Sequence, residues 1–163
     1  MRITFIIPKN GSDTEKSFYD YKFYEKFLFS KRYFSYLLAI PTLISLTPPG
    51  HEIKVFDENI ETIDFNLPVD LVGISVRTMF SHRAYEIADE YSRRGVKVVL
   101  GGIHPSMRPD EALAHCDAVV SGEAETLWAT VVKDAQDGRL KRIYKAEGFA
   151  DLTANPMPDR ALL

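Results

Sequence analysis

Five short apolar runs, each stopped by glycine, proline or aspartate, constrain this chain more than any other feature: "RITFII" (2–7), "EIKVF" (52–56), "DLVGISV" (70–76), "VKVVL" (96–100) and "DAVVSG" (117–122). They are rich in Val and Ile and lack polar alternation, as strands covered on both faces should be. Helical patterns separate them. "FSHRAYEIADEYSRRG" puts Ala84, Ile87, Ala88 and Tyr91 at helical spacing, with Ser81 as the expected N-cap and Gly95 as the stop. "EAETLWATVVKDAQDG" repeats the plan, with acids expected in its first turn and Gly138 at its end. Strands alternating with helices imply right-handed crossovers and parallel pairing.

The expected fold is therefore α/β, a flavodoxin-like (Rossmann-like) doubly wound parallel sheet of five strands in the order 2-1-3-4-5. With 163 residues the chain suffices for one domain with a sizeable core. A net charge of −3 with dispersed Lys and Arg gives no electrostatic reason to expect nucleic acid or an anionic membrane as partner. No apolar run approaches the roughly 18 to 20 residues of a membrane span, and "ITFII" runs into Pro8 rather than a signal-peptide cleavage pattern, so the expected location is cytoplasmic. A single cysteine, Cys116, excludes an internal disulfide and any all-cysteine metal or cluster site within these residues.

In an open parallel sheet, ligands sit outside the carboxyl ends of the strands, at the switch point between the first and third. The informative residues are those just after each run. They are "PKNGSDTEKS" after strand one, "SVRTMFSH" after strand three, "GGIHPS" after strand four and "SGEAET" after strand five. Gly101 and Gly102 either make a tight turn or leave room for a ligand to lie against the backbone. A dinucleotide site wants G-x-G-x-x-G after strand one, where only Gly11 stands. A phosphoacceptor receiver wants an aspartate at the end of strand three, where Ser75 stands, and acids where "PKN" stands. Ser12, Thr14 and Ser17 could form a flavin phosphate loop, but "SDTE" reads better as a capping box between Ser12 and Glu15.

Taken together, "DLVGISVRT", "VVLGGIHPSMRPDEAL", "DAVVSGEAET" and "NPMPDRALL" closely resemble the N-terminal cobalamin (B12)-binding domain of class B radical SAM enzymes, the group with cobalamin-dependent methyltransferases and the anaerobic Mg-protoporphyrin ester cyclase. The resemblance runs from strand one through residue 163. It implies that residues 1–150 hold cobalamin at the sheet rim and that 151–163 begin a linker to a C-terminal radical SAM barrel. The 4Fe-4S cluster, S-adenosylmethionine and substrate residues would belong to that barrel. On its own, such a module would catalyse nothing. The alternatives are a flavodoxin-like electron carrier and a non-catalytic interaction domain that has lost its ligand.

What the resemblance implies for the site is a cofactor-binding rim of Ser75, Arg77, Thr78, Gly101, Gly102, His104, Gly122 and Glu123, with no metal-ligating residue. Methionine synthase-type domains carry D-x-H-x-x-G after strand one, whereas "PKNGSDTEKSF" has no histidine. That fits relatives that hold the cofactor base-off without a histidine ligand, and it leaves Arg77, Thr78 and Met79 as the side chains nearest the lower cobalt face. His104 either meets the corrin or fixes the loop before Pro105. Glu123 and Glu125 either accept corrin amides or serve a helix dipole. The aromatic segment 18–36 reads as core rather than cradle. His51, His82 and His115 are scattered, Cys116 reads as a small buried hydrophobe, and Asp57 as a strand terminator.

Overall fold

The structure, a computed structural model, describes residues 1–9, 38–151, 153, 155–159, 161 and 162. The capping box or phosphate loop at Ser12–Ser17 and the aromatic segment 18–36 lie outside the described residues. The elements run β1 (Arg2–Ile7), α1 (Ala39–Leu46), β2 (Glu52–Asp57), β3 (Leu71–Ser75), a 3-10 turn (Thr78–Phe80), α2 (Ser81–Arg93), β4 (Lys97–Gly101), α3 (Ile103–Met107), α4 (Pro109–Ala112), β5 (Ala118–Ser121), α5 (Trp128–Gln136) and β6 (Ile143–Lys145). All pairings are parallel, in the order β2-β1-β3-β4-β5-β6. The doubly wound order expected from the apolar runs is present, and β6 extends it by one edge strand. That strand carries one buried side chain, Tyr144, between exposed Ile143 and Lys145, so it leaves no apolar run to read.

Period-two alternation sorts the strand residues between two cores. Ile6, Val72, Ile74, Val98, Leu100 and Val119 face Ala84, Ile87, Ala88 and Tyr91 of α2. Ile3, Phe5, Ile7, Leu71, Val99, Ala118 and Val120 face Ile40 and Ile44 of α1 and Trp128, Val131 and Val132 of α5. Both long helices stop as expected, in a Schellman closure just past Gly95 and Gly138, with Val96 N–H bonding Tyr91 O and Arg139 N–H bonding Asp134 O.

Their starts differ from expectation. Phe80, not Ser81, occupies the N-cap of α2, because the Ser81 hydroxyl donates to the Thr78 carbonyl and continues the 3-10 turn. Glu123 and Glu125 precede α5, which begins at Trp128, so they sit in the loop rather than in a first helical turn. After β6 the chain returns to α1. There the Ser45 hydroxyl donates to Met157 O, and Asp159 N–H donates to Ser45 Oγ at 2.8 Å.

Candidate functional site

At the carboxyl ends of the strands a cleft opens on the α1/α5 face, enclosing about 170 Å³. Its position follows from the pleat. Gly73 and Gly101 fall on the face that carries Leu71 and Val99, and they lie on adjacent strands, with Gly73 opposite Val99 and Ser75 opposite Gly101. The space over Gly73 is taken by the Phe5 ring, which a Cβ there would meet at 3.1 Å, whereas the side chain missing at Gly101, at the end of β4, opens a slot. Its inner wall is Phe5, Ile40, Leu43, Val99, Val120 and Trp128, and its outer part is Ser75, Gly101, Gly102 and the loop Gly122–Glu125. Phe5 and Trp128 touch, ring centroids 5.2 Å apart, and the Trp128 Nε1–H is held by Thr47 Oγ1 at 2.9 Å.

The glycines are not equivalent. A Cβ on Gly101 would meet nothing nearer than Val120 at 3.8 Å, so the fold has room for a side chain that the sequence omits. Gly102 is different. Its φ is +100°, and a Cβ there would lie 2.9 Å from Val76 O and 3.0 Å from Val76 N, so the turn itself demands glycine. Of the two roles open to the glycine pair, the tight turn is the one the backbone requires of Gly102, and a larger residue there would disturb the fold. Gly122 also serves the loop, with φ +88° and a would-be Cβ 3.0 Å from that of Ala146. Ser106 joins the two loops by donating to Gly102 O at 2.8 Å and accepting from Gly122 N–H at 2.9 Å. No motif singled it out, although a serine on the short helix after the glycine pair was a readable signal.

Of the residues expected at the rim, Ser75, Gly101, Gly102, Gly122 and Glu123 line this one cleft. Ser75 Oγ has no hydrogen-bond partner among the described residues, while Glu123 accepts from Ala150 N–H and ties the returning chain to the mouth. Arg77 and Thr78 are exposed and outside the lining, as is Met79. His104 is also elsewhere. It is 7% exposed and turned to the α2 side, where Nε2 lies 3.1 Å from Glu111 Oε1. Tyr85 O–H donates to the same oxygen at 3.2 Å and stacks on His115, which meets Asp89 at 3.0 Å. These bonds to His104 and Tyr85 hold the Glu111 carboxyl below its ordinary range. Fixing the loop is thus the role the geometry gives His104.

Near the switch point, Arg83 binds Glu58 and Glu86, pinning the loop after β2 to α2. Asp57 ends β2 and accepts from Asn59 N–H at 2.9 Å, the terminator expected of it. Cys116 is buried, and desolvation pushes its thiol up to about 12, so it is a packing residue rather than a nucleophile. Among the described residues no three His, Cys, Asp or Glu side chains gather as a metal site, and no helix is long and apolar enough to cross a membrane.

Comparison with known proteins matches residues 48–132 to the B12 binding domain family. That span runs from the loop before β2 into α5 and includes every candidate rim residue. The chain is 47% identical over 118 residues to the bacteriochlorophyllide d C-8(2)-methyltransferase of Chlorobaculum tepidum, covering 72% of this chain and 26% of that protein. It is 39% identical over 90 residues to the bacteriochlorophyllide d C-12(1)-methyltransferase of the same organism, covering 55% of this chain and 20% of that one. It therefore spans about a quarter or less of these curated relatives. Among solved structures, the N-terminal domain of a hypothetical protein of Thermotoga maritima aligns with a TM-score of 0.40 and 23% identity, over 47% of this chain and 61% of that one, a likeness too loose to build on.

Proposed function

We propose a function from one premise: the chain belongs to the B12-binding domain family. Its cleft holds cobalamin, with the nucleotide tail in the slot and the corrin over the mouth. The observation that carries this is the hollow at Gly101, an apolar slot open to the strand ends where the fold itself would tolerate a side chain. The cavity exceeds the ~150 Å³ apolar void known to accept a benzene ring, so one flat aromatic ring of the base has room in the slot. Ser75 Oγ is free to bond the tail near the mouth. Titrating the chain with hydroxocobalamin, followed by gel filtration and the visible spectrum of the protein peak, tests the reading. A stoichiometric coloured complex supports it, and a colourless protein peak refutes it.

The finer reading is that cobalamin is held base-off with no nitrogen from the protein. Among the described residues no histidine lines the cleft, and the nearest in sequence, His104, has its Nε2 engaged by Glu111. The Co(II) form should then give an electron paramagnetic resonance spectrum without superhyperfine splitting from an axial nitrogen, and such splitting would refute the assignment.

When bound, cobalamin supplies a carrier for a methyl group. The names of the relatives support methyl transfer to a bacteriochlorophyllide-type tetrapyrrole as the activity this module serves. The resemblance of its motifs assigns the S-adenosylmethionine and 4Fe-4S chemistry to a radical SAM domain joined through residues 151–163. The residues described here would bind and orient the cofactor, and would not themselves perform the reaction.

A further inference from the structure

We propose that the slot selects among cobamides by their lower base, admitting a benzimidazole and rejecting a purine; this rests on the reading that the nucleotide tail enters the slot. The inner wall of Phe5, Ile40, Leu43, Val99, Val120 and Trp128 offers, among the described residues, one side-chain polar atom, the Trp128 indole nitrogen. Its proton is already donated to Thr47 Oγ1 at 2.9 Å. The strand backbone behind the wall is engaged in the parallel ladder of β1, β3, β4 and β5. The polar side chains of the lining, Ser75, Glu123 and Glu125, come from the strand end and the loop after β5.

A dimethylbenzimidazole entering this slot presents carbon and methyl groups to the wall. An adenine of similar outline brings ring nitrogens and an exocyclic amine. These must leave water and find no partner, and burying such groups unpaired is costly. An apolar wall is a weak judge of size but a firm judge of unpaired polar atoms, so the expected discrimination is about ten- to a hundredfold in affinity.

The test is equilibrium dialysis of the purified chain against three ligands sharing one corrin: cobalamin, adeninylcobamide, and cobinamide, which lacks the nucleotide. Each is quantified by its visible absorbance. The expected result is that cobalamin binds about ten- to a hundredfold more tightly than adeninylcobamide, which falls toward cobinamide. Equal affinity for the two cobamides, both above cobinamide, overturns the selection while leaving tail entry intact. Equal affinity for all three overturns tail entry and the selection with it. No binding of any of them overturns the reading of the cleft itself. Val99→Thr, close in shape, sets a hydroxyl on the wall and should narrow the ratio by improving the adenine ligand. Val120→Thr serves the same end if circular dichroism reports a disturbed fold. An unchanged ratio in a folded variant counts against the wall as its cause.

Discussion

Toward α2, the successive inward positions of β3 and β4 are Val72, Ile74, Val98 and Leu100, all buried against Ala84, Ile87, Ala88 and Tyr91. Toward α1 and α5, the last positions of β3 and β4 are Ser75 and Gly101, and a slot stands at Gly101 where a side chain would have packed. One backbone thus supplies both a filled layer and a hollow one. The filled layer stabilises the sheet by burial, at about 25 cal/mol per Å² of apolar surface. The hollow layer gives up part of that burial to create a binding surface. Mutations in the two layers should therefore separate stability from affinity.

The largest effect is expected in the filled layer. Ile87 is wholly buried, so Ile87→Ala should cost about 2 to 5 kcal/mol of stability, read by denaturant unfolding. Cobalamin affinity of the folded fraction should remain unchanged. A parallel loss of affinity would mean that the two layers are coupled. Next comes the glycine pair. A Cβ at Gly101 meets Val120 only at van der Waals distance, so Gly101→Leu should fill the slot and lower cobalamin binding at least about a hundredfold, about 2.7 kcal/mol, with little change in melting temperature. Gly102→Ala should do the reverse, costing about 1 to 3 kcal/mol of stability through its positive φ and its clash with Val76. If both variants lost binding equally without destabilisation, the distinction between these neighbours would fail.

Two smaller effects refine the contrast. The Tyr91 hydroxyl is buried with no partner among the described residues, and desolvation pushes its pKa up to about 12. Tyr91→Phe should leave stability unchanged or raise it by about 1 kcal/mol. A clear loss would reveal an ordered water beneath the filled layer. At the opposite end of the sheet from the cleft, Asp70 receives Arg2 Nη2 at 2.7 Å, and this hydrogen bond, with the charge behind it, lowers its carboxyl from 3.8 to about 2. A carboxyl depressed in the folded state contributes above its ordinary range and ceases to contribute as pH falls through its folded value. Asp70→Asn should cost under about 1 kcal/mol at neutral pH, since the pair is half-exposed. That difference should vanish between about pH 4 and pH 2. Cobalamin affinity should not move.

The sheet was legible because burial on both faces forces unbroken Val and Ile runs, and each of the five runs is a strand within a residue or two of its reading. β6 escaped because an edge strand with one inward side chain has no run. The cleft was legible in outline, since the switch-point rule selects residues just after the strands. Its wall was missed because Phe5, Gly73, Val99 and Val120 lie inside the strands, where apolar residues look like ordinary core. A signal of close packing existed in Gly73, which interrupts "DLVGISV" in mid-strand as glycine does where something approaches the backbone, here the Phe5 ring of the wall. For His104 the sequence left two roles open, because a motif does not give side-chain direction. Only the turn at Gly102 reveals that α3 swings this imidazole to the far face.

The wall of the slot also carries the chain's sole tryptophan. Trp128 is 2% exposed and its ring leans on Phe5, so its emission should be blue-shifted and come from one fixed environment. Any strongly absorbing guest in the slot lies beside the indole and should extinguish it, with no second indole to dilute the change. The protein is in this sense its own optical gauge of occupancy, readable at nanomolar dilution where the colour of the ligand is too faint to see.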